Sequence, residues 1–369
     1  MTVSALGYWI LIVSFAKGSE GGLYLAQLDC KTQTISHVQH ITQGVNRPIF
    51  ARFSADGKQL FVVDNKGDDP KTKFGALAIY QFDRNTGKLT LQSRTSTLGR
   101  GPCYVGLTSK MALIANYSQG SVTAIAYDAS GALDGAETFA HTGSSLDPRR
   151  QKSPHPHSFV PSPDGRFGLS ADLGTDEIWV YPLGKNPLMD QVASKIKITP
   201  APGTPGTPTS PGSGPRHIAF SNDGKLLFVV SELDNMLASF KWDQASGQAT
   251  AADVQSTLPK DFEGTSYGAD IHMNPNMPII YTSNRGLDSI AVFAHDDQGK
   301  LQRKAIVPSG GGHPRGVAIT NEGEFLLVAN RDANNVVLFH IDSQTGMLIN
   351  TDKTLEVPMP MCITTLPRH

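Results

Sequence analysis

The sequence predicts an all-β fold, a seven-bladed β-propeller whose ring is closed by a C-terminal strand joining the N-terminal blade. Three observations predict it. A unit of four short strands recurs six times, no stretch holds a 3.6-residue apolar period for three turns, and the two chain ends carry complementary pieces of one further unit.

Residues 8–15, 22–29 and 35–41 read as three strands with no opening Pro-x strand before them. The first complete unit starts at Arg47-Pro48. An apolar strand (Phe50-Ala51-Arg52-Phe53) is followed by the turn Ser54-Ala55-Asp56-Gly57 and a second apolar strand that ends in Asp64-Asn65. A polar turn, a third strand, an Asp-x-x-Thr-Gly turn and a fourth strand complete it. The unit returns from Gly101-Pro102, Pro156, Gly214-Pro215, Tyr267-Gly268-Ala269 and His313-Pro314. Its anchor positions 48, 102, 156, 215, 269 and 314 are spaced by 54, 54, 59, 54 and 45 residues. Runs rich in β-branched and aromatic residues between Asp-Gly and Thr-Gly turns are hairpin signals. Residues 357–366 form a last Pro-x strand with nothing after it. It is expected to be the innermost strand of the blade whose other three strands come from the N-terminus, so that no long sheet edge stays open. The Pro/Gly/Thr-rich stretch 200–212 reads as a solvated loop between the fourth and fifth blades, because the repeat continues in phase across it. Residues 1–369 are therefore expected to form one propeller domain.

Composition narrows the function. A net charge of −1 over 369 residues gives no footprint for nucleic acid or an anionic membrane. Cys30, Cys103 and Cys362 are an odd number at wide spacing, read as reduced thiols. The apolar run 6–16 is too short to span a bilayer and lacks the basic start and cleavage site of a secretory signal. A cytoplasmic protein is expected, monomeric or weakly homodimeric. A nucleophile elbow, a P-loop, an H-E-x-x-H helix and a dinucleotide fingerprint are all missing from the sequence.

In each unit the first two strands run antiparallel, so the residue opening the first and the residue closing the second are neighbours at one end of the ring. Opening positions hold Ile49, Cys103, His157, Arg216, Asp270, Arg315 and Met361. Closing positions hold Asn65, Asn116, Asp172, Glu232, Asn284 and Asn330, with Tyr117, Arg285 and Arg331 one residue on. Strand-end Asn and Asp are turn-formers more often than ligands. His157, Arg216, Glu232 and Arg285 are instead placed facing the channel, whereas alternation turns His155 and His217 to the other face. Arginines beside carboxylates and a histidine suit an anionic substrate, with Arg clamping the anion and His or Glu moving a proton. Asp172, Glu232, Asp270 and the Asn side chains are also oxygen donors of the kind calcium takes, but a dication among several arginines is electrostatically awkward, so no metal and no cofactor is expected.

The phrases Gly101-Pro102-Cys103-Tyr104-Val105, Ala115-Asn116-Tyr117, Arg150-Gln151 ahead of Pro154-His155-Pro156-His157-Ser158, Ala171-Asp172-Leu173-Gly174, Gly214-Pro215-Arg216-His217, Ser283-Asn284-Arg285-Gly286 and Ala329-Asn330-Arg331 occur in this order along nearly the whole chain. The chain closely resembles the seven-bladed lactonase family of propeller-type 6-phosphogluconolactonases and carboxy-muconate lactonizing enzymes. The resemblance implies metal-independent opening of a small anionic lactone, 6-phosphogluconolactone above all, with a lactonizing cycloisomerase or a non-catalytic binding propeller as alternatives. It places the His, two Arg and Glu proposed for the muconate branch on His157, Arg216, Arg285 and Glu232; Glu232 or His157 is expected to activate water. Arg150, Asn116, Tyr117, Asp172, Asp270, Asn284, Arg315 and Arg331 are the expected substrate-binding residues. Ser14-Phe15-Ala16 departs from the family's Gly-Thr-Tyr, which removes a tyrosine hydroxyl from the mouth.

Overall fold

A computed structural model describes residues 7–198 and 212–368, so most of the Pro/Gly/Thr-rich stretch at 200–212 lies outside the described residues. Seven four-stranded antiparallel sheets make up the described chain. Their innermost strands are Pro48–Phe53, Pro102–Leu107, Pro156–Pro161, Pro215–Phe220, Tyr267–Met273, Pro314–Ile319 and Pro360–Arg368. The last of these pairs with Gly7–Ser14, which continues into Gly22–Asp29 and Thr34–Ile41. This composite sheet, blade 1, closes the ring as the complementary chain ends predict. Blades 2 to 7 follow in chain order.

Each middle strand is apolar along its whole length because it is covered on both faces. In Gly7–Ser14, Tyr8, Ile10 and Ile12 pack against blade 7 through Phe325, Leu327 and Leu338. Trp9, Leu11 and Val13, on the opposite face of the pleat, pack against blade 2 through Ala51, Leu60 and Val62. The apolar run at the N-terminus is therefore a buried strand. One such core lies at every blade-to-blade junction.

The turns follow from their residues. Gly57 takes φ +69 while Ser54 Oγ and the Lys58 N–H both donate to Asp56 Oδ1, at 2.7 and 3.1 Å. The same device returns at Ser162-Pro163-Asp164-Gly165 and Ser221-Asn222-Asp223-Gly224. Asx-type turns of this kind satisfy the backbone locally, so the hairpins form without help from distant residues.

One feature of the backbone is invisible to simple alternation. The innermost strand of every blade carries a bulge near its start, with the proline or its equivalent paired at the end of the second strand and one or two following residues skipped. The skipped residues are Ile49, Cys103, His157, Arg216, Ala269 with Asp270, Arg315 and Met361. A bulge re-aims side chains, so here two consecutive residues can both face the axis.

Candidate active site

The bulge residues Ile49, Cys103, His157 and Arg315 line a pocket of about 390 Å³ at one mouth of the central channel. Its other walls include Asn65, Tyr117, Glu232, Tyr267, Arg285 and His313. The residues paired with these prolines, or with Gly268 in the one blade that lacks the proline, are Asp64, Asn116, Asp172, Ser231, Asn284 and Asn330. The pocket takes the residue after these, which is why Asn65, Tyr117, Glu232 and Arg285 share it. A backbone bond repeated around the ring holds this second residue. The Tyr117 and Glu232 amides donate to the carbonyls of Gly101 and Gly214, at 3.0 and 2.7 Å, and the two glycines sit at φ +61 and +65.

Glu232 is the hub. Its Oε2 accepts from Arg216 Nε and lies against the Arg285 guanidinium, each at 3.0 Å, while its Oε1 accepts from Arg150 at 2.6 Å. His157 Nε2 stands 3.8 Å from Oε2, too far for a hydrogen bond but close for a charge. Arg150 also donates to Tyr117 Oη at 3.3 Å. It enters from the loop ahead of blade 4, where Asp147 Oδ1 accepts the Arg149 and Arg150 amides and Gln151 bonds the Leu173 carbonyl and Asp176. Arg216 and Arg285 are fixed further by the carbonyls of Ala269 and Gly268.

Burial alone would raise the Glu232 pKa, but Arg285, Arg216, His157 and Arg150 outweigh it and hold the carboxyl well below its usual range. Burial, reinforced by Arg216, holds His157 well below the ordinary imidazole value. Arg315 is pushed down to about 9 by burial and by Arg216 and Arg285, which leaves it charged at neutral pH. It makes no hydrogen bond or ion pair within the described residues. Four guanidiniums thus face one carboxylate and one neutral imidazole, an excess of three positive charges at the mouth of a protein that is almost neutral overall.

The structure brings His157, Arg216, Glu232 and Arg285 together, with Arg150, Tyr117 and Arg315 around them. It places four of the expected substrate-binding residues outside the pocket and one more beneath it. Asn116 is fully buried and donates to the Thr97 carbonyl and Thr123 Oγ1. Asn284 does the same to the Thr257 carbonyl, and Asp172 accepts from His141 Nδ1 and from the His155 and Gly174 amides. These proline-paired residues point between strands and hook the segment that follows the previous blade's outer strand. Arg331 sits at the rim, bonded to Asp332 and His313. Asp270 lies deeper in the channel, bonded to His217 Nδ1 at 2.8 Å and near His272 at 3.4 Å.

His217 corrects the alternation argument. Because Arg216 occupies the bulge, His217 also faces the axis, where its ring meets Tyr104 and His157 at centroid distances of 5.1 and 5.4 Å. His155 stacks on Tyr117 and bonds the Tyr117 carbonyl. Tyr267 and His313 also line the pocket, and their only sequence signal is that each directly precedes the Gly or Pro at the start of its inner strand. Phe15 stacks under the Arg47 guanidinium at 4.1 Å, and neither it nor Ala16 lines the pocket. Among the described residues, no group of three His, Cys, Asp or Glu is arranged to hold a metal ion.

Residues 9–365 match the family model described as lactonase, 7-bladed beta-propeller. The chain is 30% identical to a 6-phosphogluconolactonase of Bacillus subtilis over 362 residues, 97% of each chain. Among solved structures it is similar to a periplasmic gluconolactonase of Pseudomonas aeruginosa, with TM-score 0.86, 27% identity and coverage of 98% and 100%. It is equally similar to a candidate 6-phosphogluconolactonase of Bacteroides fragilis, with TM-score 0.86, 29% identity and coverage of 99% of both chains. The ring, the mouth and these likenesses agree: the chain belongs to the seven-bladed β-propeller lactonase family.

Proposed function

We propose that the protein hydrolyses the lactone of a phosphorylated sugar acid, 6-phosphogluconolactone in the first place, without a metal ion. The observation that carries this is the excess of three positive charges around a neutral histidine. A phosphate dianion compensates most of that excess, and the free donors of Arg315 and the part-exposed Arg150 suit it. The likeness to a 6-phosphogluconolactonase across the whole chain supports the same substrate.

In this reading His157 is the base. Its depressed pKa keeps it unprotonated at neutral pH, whereas Glu232, clamped by three guanidiniums, has little affinity for a proton. His157 takes a proton from water as the hydroxyl adds to the lactone carbonyl. Arg285 and Arg216 stabilise the oxyanion. The Glu232 carboxylate, 3.8 Å away, stabilises the imidazolium that forms. The tetrahedral intermediate then collapses, the ring C–O bond breaks, and the proton passes from His157 to the leaving alkoxide. The open-chain acid is the product.

The seven sheets form one closed ring, which supports a single propeller domain; activity as a monomer or weak homodimer is part of the proposal. Phosphorylated sugar acids do not cross membranes unaided, which supports a cytoplasmic location, and none of the described helices is long and apolar enough to cross a membrane. The test is a panel of phosphorylated and plain aldonolactones, with and without chelator, read against the spontaneous rate. A carboxylated muconate is included, since ring closure by proton transfer needs the same residues. Metal-independent acceleration of the phosphorylated lactones supports the proposal; rates equal to the spontaneous ones, or turnover of the muconate alone, contradict it.

A further inference from the structure

Beneath the pocket, His217 and Asp270 form a buried pair that takes no part in the proposed proton transfers. Both are more than nine-tenths buried. Arg216 Nη1 lies 3.2 Å from His217 Nε2, and a guanidinium nitrogen can only donate, so Nε2 must be the acceptor. The ring proton is then on Nδ1, which lies 2.8 Å from Asp270 Oδ1. Asp270 is itself fixed, with Oδ1 accepting the Ile271 amide at 3.0 Å and Oδ2 the Val317 amide at 2.9 Å in the next blade. The chain of contacts runs Asp270, His217, Arg216, Glu232, from a backbone anchor spanning two blades to the hub of the mouth.

The geometry matters because Arg216 is nearly solvent-free and has few other holds. Nε is committed to Glu232 and Nη1 to the Ala269 carbonyl, and the His217 bond is the third hold on the plane of the guanidinium. We propose that His217, fixed as the Nδ1–H tautomer by Asp270, is a positioning residue that locks the Arg216 guanidinium onto Glu232 and into the plane needed for the substrate anion. The opposite tautomer would aim an N–H at a guanidinium, which cannot accept it, and would push Arg216 out of the plane. Its effect on turnover rests on the proposed lactonase reaction; the tautomer and the effect on anion binding do not.

The test uses the full chain as wild type, His217→Gln, His217→Phe, Asp270→Asn and the double variant His217→Phe/Asp270→Asn, each checked for folding by near-UV circular dichroism. Turnover is measured with the lactone the wild type opens fastest, and affinity with inorganic phosphate by calorimetry. Nitrogen-15 NMR of the histidine rings, assigned by difference against His217→Gln, gives the tautomer. The glutamine oxygen can still accept from Arg216, so His217→Gln keeps kcat within a few-fold. His217→Phe and Asp270→Asn each lower kcat on the order of ten- to a hundredfold, the worth of one hydrogen bond to a charged group. Both weaken phosphate binding, and the double variant is no worse than His217→Phe because the two act through one contact. An Nε2–H tautomer overturns the proposal, as does a folded His217→Phe with wild-type kcat and phosphate affinity, or losses that multiply in the double variant. If His217→Phe does not fold, the tautomer and Asp270→Asn decide. If the wild type opens no lactone, the proposed reaction fails, while the tautomer and phosphate affinity still judge this inference.

Discussion

At the residue scale, function at the mouth turns on how unlike charges divide their work. Glu232 faces three arginines, so its charge is used in holding them, and His157, pressed by burial and by Arg216, is left with its proton off. His157→Ala is expected to lower kcat by about a hundred- to ten-thousandfold with a smaller change in KM, the usual worth of a general base. Because its folded pKa lies well below 6.5, kcat/KM is expected to stay flat as pH falls through the ordinary histidine range and to drop only in stronger acid. An acid limb centred near 6.5 would contradict this base. Arg315 has no protein partner among the described residues, so Arg315→Gln should raise KM for a phosphorylated lactone at least about tenfold, as lost charged hydrogen bonds do. KM for the unphosphorylated analogue should change little, and equal effects on both would place the phosphate elsewhere.

At the scale of strands, the repeat was legible because its marks are local. Ser-x-Asp-Gly turns, proline before a strand and apolar runs of one length are set by neighbouring residues, and they locate all seven inner strands, Pro360–Arg368 included. The bulge was not legible, since Ile49, Cys103, His157, Arg216, Arg315 and Met361 share no chemistry that would mark a skipped residue. That one-residue offset accounts for what was misplaced. It brought His217 to the axis, and the proline pairing turned Asn116, Asp172 and Asn284 into the sheet while Glu232 and Arg285, one place further on, reached the pocket. The structural role of the buried class predicts its own phenotype. Asn330, which bonds the Ser309 carbonyl at 3.0 Å and Asn335, is expected to cost about 1–3 kcal/mol of stability when changed to Ala and to leave kcat near wild type. Denaturant unfolding and steady-state kinetics on the one variant check both halves.

At the scale of the whole molecule, the ring depends on its closing strand. Pro360–Arg368 supplies Cys362, Ile363 and Leu366 to the cores on both sides of blade 1. Removing residues 356–369 exposes the full length of Gly7–Ser14 as an open edge and should abolish soluble folding; a well-folded truncated monomer would contradict the closure. The buried histidines also set an acid limit. His217 has a folded pKa lowered to about 4, against an ordinary value of 6.5, by burial and Arg216. The unfolded chain therefore binds more protons between those values, and stability rises with pH across them. The contribution is fully present above about 6.5 and is lost as pH falls toward 4, at up to about 1.4 kcal/mol per pH unit. His157 acts in the same direction. Asp64, raised to about 6 by burial, acts the opposite way below that pH but is one group against three, because burial and Arg331 lower His313 to about 4 as well. Denaturant midpoints should fall as pH is lowered from 6.5, and a flat profile would contradict the neutral burial of these histidines. Opening of phosphorylated lactones at the arginine-rich mouth is measured by the rate of 6-phosphogluconolactone hydrolysis in the presence of chelator. The expected result is acceleration over the spontaneous reaction that disappears in folded His157→Ala; a rate equal to the spontaneous one, or unchanged in that variant, would rule out this chemistry.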